Sequence, residues 1–361
     1  MTDELRARIV ALGPWPPPWR PDPGNRVSGR PPAIELGRLL FRDARMSPVG
    51  YIACVTCHQP DRAFADAKTR AHGLGDLPRN TPALANLRLQ TWFGWGGASD
   101  SLWLASIRPI LDARDFDGSA ASVLKPFVLD RDIAACYRRV FGVSALARPE
   151  RTLVNVGKAI AAYVETLVTE RTPFDDFRDA VERGDEARAA AYPAAARRGL
   201  IAFVGDAGCA GCHAGPSFSD GGFHPGAAGR GDPAPTDAAA LRDAGRLDDV
   251  RRLLANPLNL TSTANDDASR RNAKATRALT AHAGLAGLFR TPSLRNVGVT
   301  APYLHDGRAD TLHEAVAQHA PPARPLAAPQ VDDLVAFLHT LTDVHGPRRP
   351  WRPSELHNQC R

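Results

Sequence analysis

Two short stretches, Cys54-Val55-Thr56-Cys57-His58 and Cys209-Ala210-Gly211-Cys212-His213, constrain this chain more than anything else in it. A pair of cysteines two residues apart, followed directly by histidine, is the attachment signature of c-type haem. The spacing has a chemical reason. Thiols about one helical turn apart can each form a thioether to a haem vinyl group, and the next residue then offers an imidazole nitrogen to the iron. Cys54 and Cys57 are thus expected to hold one haem c with His58 on its iron, and Cys209 and Cys212 a second with His213. A four-cysteine zinc ribbon and a redox dithiol pair are the competing readings. The ribbon needs two distant cysteine pairs brought together, and neither alternative explains a histidine after both.

At 361 residues the chain is long enough for two cores. Prolines cluster at 14–32, 225–235 and 321–353, which predicts long irregular segments there. The formal charge of +6 would fall to about +2 with four haem propionates, and arginine is scattered, so nucleic-acid binding has no support. No apolar run is long enough for a membrane span. Cys136 reads as a buried free thiol and Cys360 as a residue without a role. Bacterial haem attachment through thioethers takes place outside the cytoplasm, so a periplasmic protein is expected. Met1-Thr2-Asp3-Glu4 is acidic and no apolar signal region follows; a signal removed beforehand, or a start assigned elsewhere, would account for that.

The periodicity predicts a mainly α fold with no strand. Residues 1–31 read as an irregular arm and a helix starts at Pro32. An amphipathic helix covers 152–169, a linking helix 170–190, and a helix from Pro193 to Gly205 delivers the second motif. A short helix is expected within 238–255, and a last one carries Val331, Leu334, Val335, Leu338 and Leu341. The organisation expected is an N-terminal haem domain over 32–170, a C-terminal one over 171–345 and a polar tail over 346–361.

An internal repeat supports this division. Thr81-Pro82-Ala83-Leu84-Ala85-Asn86-Leu87 returns as Thr291-Pro292-Ser293-Leu294-Arg295-Asn296-Val297, an offset of 210. The same offset pairs Gly97 with Gly307, Asp100 with Asp310 and Leu102 with Leu312, and Phe64-Ala65-Asp66 is echoed by Phe218-Ser219-Asp220. The fold expected is therefore two cytochrome c-like domains related by internal duplication, with long loops, each with a helix beginning at Asp100 or Asp310. The register also sets His319 against Pro109. Histidine can ligate iron and proline cannot, so the second haem is expected to be capped by His319 and the first to be open. One open iron beside a closed one suggests a peroxidase, ahead of a non-enzymatic electron carrier or sensor.

These blocks resemble the bacterial di-haem cytochrome c peroxidase and MauG family over about 33–345. The likeness rests on Leu36-Gly37-Arg38-Leu39-Leu40-Phe41, both haem motifs, Arg79-Asn80-Thr81-Pro82, Arg290-Thr291-Pro292-Ser293-Leu294-Arg295-Asn296-Val297 and Ala301-Pro302-Tyr303-Leu304-His305-Asp306-Gly307. It implies that Trp95 relays electrons between the haems. The Asp-Gly-Arg usual after that tryptophan is Gly96-Gly97-Ala98 here, so its polar contacts are expected to be lost. Asn80 and the carbonyls of Thr300 and Pro302 match a calcium site. The distal acid, six residues after Pro109, falls on Asp115, with Asp112 as a nearby substitute. His72 matches a removable ligand of the first haem. Relatives cap the second haem with methionine or tyrosine, whereas Met1 and Met46 both precede the first motif and His319 takes the position. The harder imidazole favours ferric iron and a low potential. The resemblance thus implies hydrogen peroxide as oxidant and MauG-like oxidation of a partner protein, or peroxide reduction with electrons from a small cytochrome or cupredoxin.

Overall fold

The helix Pro31–Phe41 begins on two prolines, whose fixed φ suits a first turn, and buries Ile34, Leu36, Leu40 and Phe41. It packs against Pro149–Val164, which buries Leu153, Val156, Ile160 and Val164. The approach is so close that a side chain at Gly37 would overlap the Ala159 carbonyl. The same pairing recurs further along the chain. Ala194–Val204 packs against Ala328–His339, and a side chain at Gly199 would overlap the Asp333 carbonyl. This computed structural model describes residues 1–225, 243–319, 325–343 and 360, and 48% of those residues are helical. The tail expected over 346–361 lies outside those residues, Cys360 apart.

The Thr-Pro loops repeat in equal detail. Asn86 (φ 66°) and Asn296 (φ 61°) are left-handed, a conformation asparagine tolerates better than most residues. The Asn86 N–H donates to the Leu167 carbonyl at 2.7 Å, and its Oδ1 accepts from the Thr169 N–H at 3.0 Å. The Asn296 N–H donates to Leu341 at 3.0 Å, and its Oδ1 accepts from Asp343 at 2.9 Å. Each asparagine thus ties its loop to the stretch that follows a helix, Pro149–Val164 for Asn86 and Ala328–His339 for Asn296. The bridges Phe93↔Ser99 and Tyr303↔Ala309 keep the offset of 210.

Apolar side chains gather into two clusters. One holds Phe41, Phe64, Trp103, Ile107, Tyr137 and Ile160; the other holds Phe174, Leu200, Phe203, Phe218, Leu334 and Phe337. Each takes residues from the far end of the chain. Ile9 and Leu12 belong to the second cluster, while Leu253, Leu260 and Ala273 belong to the first. The Asp100 carboxylate helps fix the latter segment, accepting from the Leu260 N–H and the Thr276 hydroxyl, both at 2.8 Å.

Five expectations need correction. The arm at 1–31 is not wholly irregular: Asp3–Val10 is a helix capped by Thr2, two turns held by Ile9 on the second cluster and too short to show a period. The segment 170–190 is no linker, because Pro173–Arg183 buries Phe174, Phe177 and Val181 in that cluster. Two short strands do exist, Phe223–Pro225 and Leu288–Arg290, paired antiparallel. Cys136 and Cys360 form a disulfide across a separation of 224 residues, so neither is a free thiol. The helices expected at Asp100 and Asp310 start slightly later, as Leu102–Leu111 and Leu312–His319.

Candidate haem sites

Both haem motifs turn the same way. The His58 N–H closes on the Cys54 carbonyl and the His213 N–H on that of Cys209, each at 2.9 Å, so the two thiols of each motif stand about one turn apart. The His58 ring donates from Nδ1 to the Phe64 carbonyl at 3.0 Å, and His213 does so to Phe218 at 3.0 Å. Phe64 (φ 61°) and Phe218 (φ 52°) adopt left-handed backbone to aim these carbonyls. That conformation is costly for a bulky residue, and both halves keep it at the same place. A histidine whose Nδ1 is committed this way presents the Nε2 lone pair, the usual arrangement of an oriented metal ligand. Burial favours the neutral rings, lowering the pKa of His58 and bringing that of His213 to about 4. Burial also pushes the Cys54 thiol up to about 12 and Cys57 to about 11. Reactive dithiols and zinc ligands need the thiolate, which this setting opposes.

The second motif opens on a cavity of about 1100 Å³ lined by Cys209, Cys212, His213 and His319. His319, at the end of Leu312–His319, donates from Nδ1 to the Ala315 carbonyl at 2.7 Å. Its ring centre lies 6.5 Å from that of His213. Two imidazoles on opposite faces of one iron, with metal–nitrogen bonds of about 2 Å, would have centres about 6 Å apart. The donor set therefore fits haem c with a histidine on each face. Other side chains nearby that could in principle ligate an iron have contacts of their own. Tyr303 donates its hydroxyl to Val297 at 2.9 Å, His313 lies 3.2 Å from Asp332, and His305 stacks on Phe289.

Around the first motif the surroundings differ. Pro109 sits in the last turn of Leu102–Leu111, and the chain then bends back through Asp112 and Asp115. Burial, then the Asp112 carboxylate, push the Asp115 pKa up to about 6 against the pull of Arg108 and Arg114. Asp115 adds to the upward push that burial gives Cys54 and Cys57. Asp112 is held differently: Arg114 grips it through its main-chain N–H at 2.9 Å and its guanidinium, and its pKa is lowered. Two neighbouring carboxyl groups are thus pushed apart in acidity, as acid–base sites require. The loop with His72 packs on the same segment, with the Leu74 N–H donating to the Asp115 carbonyl at 3.2 Å. The half-exposed His72 ring bonds Asp76 through Nδ1 at 2.7 Å, and the His72 carbonyl lies 3.8 Å from the Cys57 sulfur.

Trp95 belongs to the first half by sequence yet lines the cavity of the second motif, together with Asn80, Thr300 and Pro302. Its indole N–H donates to the Asn80 carbonyl at 2.9 Å. The Asn80 side chain donates from Nδ2 to Lys68 at 2.8 Å, leaving Oδ1 as its acceptor end. The polar contacts expected to be lost after Trp95 are replaced rather than missing. Arg246 donates to the Gly96 carbonyl at 3.3 Å, and Arg290 donates to Gly94 at 3.2 Å through Nε. Sequence reasoning missed Arg246 in this role, since it lies far along the chain and carries no local signal; Arg290 stood in a recognised block, but its reach to Gly94 was not visible there. It also missed what the paired Phe-Ala-Asp and Phe-Ser-Asp blocks do, although their repetition was visible.

A family model described as di-haem cytochrome c peroxidase matches residues 31–183. The methylamine utilization protein MauG of Methylorubrum extorquens is 32% identical over 332 residues, 86% of this chain and 78% of that protein. The cytochrome c551 peroxidase of Pseudomonas aeruginosa is 30% identical over 314 residues, 85% and 78% of the two chains. Among solved structures, a MauG-like protein associated with microbial copper homeostasis aligns with a TM-score of 0.67 at 24% identity, covering 94% of this chain and all of that one. The diheme peroxidase BthA from Burkholderia thailandensis aligns with a TM-score of 0.67 at 23% identity over 93% and 92%. The structural matches establish the fold, and the family model and the relatives' names point to the same class of peroxidase-type oxidoreductase. The chain belongs to the di-haem cytochrome c peroxidase family.

Proposed function

We propose that this protein acts on hydrogen peroxide at the first haem site and uses the oxidising equivalents on a partner protein, in the manner of MauG. The observation that carries the reading is the asymmetry of the two sites. His319 faces His213 at 6.5 Å, whereas the register partner of His319 is Pro109, which has no ligating atom, and a buried carboxyl group follows at Asp115. Haem c, when bound, supplies the iron and the capacity to hold oxidising equivalents. The chain supplies the rest. Cys54, Cys57 and His58 hold the first haem; Cys209, Cys212, His213 and His319 hold the second. Asp115, with a pKa near 6, takes a proton from one peroxide oxygen and returns it to the other. Trp95 is the aromatic bridge between the halves, and His72 a removable ligand on the first side.

Several further assignments belong to this reading. The repeated Gly37 and Gly199 packings and the matching Asn86 and Asn296 bonds support an internal duplication with haem domains at 32–170 and 171–345. Asn80 Oδ1 and the carbonyls of Thr300 and Pro302 share one cavity and offer the hard oxygen ligands that calcium takes. The Cys136–Cys360 disulfide supports a periplasmic location, since such bonds persist in oxidising compartments.

The relative named as a cytochrome c551 peroxidase favours a second reading, in which a small cytochrome or cupredoxin donates the electrons. A redox titration of the two haems combined with steady-state peroxide turnover separates the two. The MauG-like reading expects a low potential for the second haem and negligible oxidation of a reduced small cytochrome. Rapid, catalytic oxidation of that donor would establish the second reading instead.

A further inference from the structure

The helix Arg246–Ala255 reaches the Trp95 turn through two glycines. A side chain on Gly96 would run into the Asp249 carboxylate and the Gly245 carbonyl, and one on Gly97 would meet the Arg246 guanidinium at 2.7 Å. The two acidic and basic groups therefore occupy the space that side chains of the turn itself would fill. Both are buried, Asp249 to 1% exposure and Arg246 to 6%. The connection continues past the turn. Asp249 Oδ2 bonds Arg79 Nη1 at 2.6 Å, and the other edge of the Arg79 fork holds Asp243 at 2.6 Å on both nitrogens. Arg79 immediately precedes Asn80, whose carbonyl accepts the Trp95 indole N–H. Asp249 thus touches both ends of one hydrogen bond: the turn that carries the donor, and the residue beside the acceptor. Arg246 completes the hold, with its guanidinium 3.4 Å from the ring centre of Phe223 and 5.1 Å from that of Trp92, and a bond to the Gly96 carbonyl.

We propose that Asp249 and Arg246 are positioning residues for Trp95: the helix that carries them fixes the indole against Asn80, and with it the electronic contact between the two haems. The inference rests on Trp95 being the bridge of the proposed function. An indole held at one end only would swing about its side-chain torsions, and small displacements at such a contact carry large rate penalties. The buried charge pair removes that freedom because Asp249 cannot move without giving up its bond to Arg79 Nη1, which, buried as Asp249 is, has no water to replace it.

The test uses the di-haem holoprotein and the variants Asp249→Asn, Gly96→Ala and Arg246→Gln, with Trp95→Phe as reference. Two quantities are read. One is the indole hydrogen-bond band in ultraviolet resonance Raman spectra, assigned to Trp95 by its loss in Trp95→Phe. The other is the rate at which an electron photo-injected into one haem equilibrates with the other. Asp249→Asn and Gly96→Ala are expected to shift the band toward a weaker hydrogen bond and to slow equilibration about tenfold or more, with haem content unchanged. An unchanged band in Asp249→Asn, which preserves side-chain volume and so decides the matter if Gly96→Ala does not fold, overturns the proposal. A native rate in Trp95→Phe would refute the bridge itself, while a shifted band in Asp249→Asn would still uphold the positioning role.

Discussion

The rings of His213 and His319 lie edge-on, with centres 6.5 Å apart and planes inclined by 61°, and each commits its Nδ1 to a main-chain carbonyl. Both imidazoles are therefore held in orientation by the protein itself, one by the Phe218 carbonyl and the other by the last turn of its own helix. Preorientation of this kind lowers the cost of ordering ligands on binding.

His319→Ala should convert the second haem from low spin to high spin, or admit water as ligand, while the first haem keeps its spectrum. Electron paramagnetic resonance of the ferric protein distinguishes the two haems. An unaltered low-spin signal in the variant would exclude His319 as a ligand.

Asp115→Asn should slow the reaction with peroxide by roughly ten- to ten-thousand-fold if the carboxylate moves the proton. The native rate should rise with pH through about 6 and then level, because the ionised form is the base. The variant should lose that dependence. Stability follows the opposite sign. The folded-state pKa lies above the ordinary 3.8, so the contribution from protonated Asp115 is full below pH 3.8 and is lost as pH rises through about 6. Stopped-flow absorbance across pH 5 to 8 checks the kinetic half.

Cys360→Ser should lower the melting temperature. Closing a loop of 224 residues is worth about 2–5 kcal/mol. Peptide mapping without reductant should recover residues 136 and 360 in one linked fragment. Separate fragments, with both thiols open to alkylation, would contradict the pairing.

Gly37→Ala and Gly199→Ala should each destabilise the protein by about 1–3 kcal/mol, since the new methyl must displace a helix carbonyl. Chemical denaturation of both variants beside the native protein checks this.

Local and repeated signals were legible in the sequence. The haem motifs, the helices beginning at Pro31 and after Pro193, and the Thr-Pro loops rest on contacts within a few residues or on a pattern stated twice. Asp3–Val10 was not legible, because two turns carry no period and their stability comes from Ile9 on a distant core. The pairing of Cys136 with Cys360 depends on where the end of the chain returns, which composition does not record. Asp249 was hidden for a similar reason: the glycines at 96 and 97 read as lost contacts until the helix filling their space was seen.

The exchange of segments between the two cores bears on how such a protein could be taken apart. A cut near residue 170 would leave the C-terminal fragment without Ile9 and Leu12, and the N-terminal fragment without Leu253, Leu260 and Ala273. Each fragment would expose apolar surface that only its counterpart can cover. The halves interlock as clasped hands rather than beads on a string, so neither is expected to stand alone as a monohaem cytochrome, and loss of one should drag the other into unfolding.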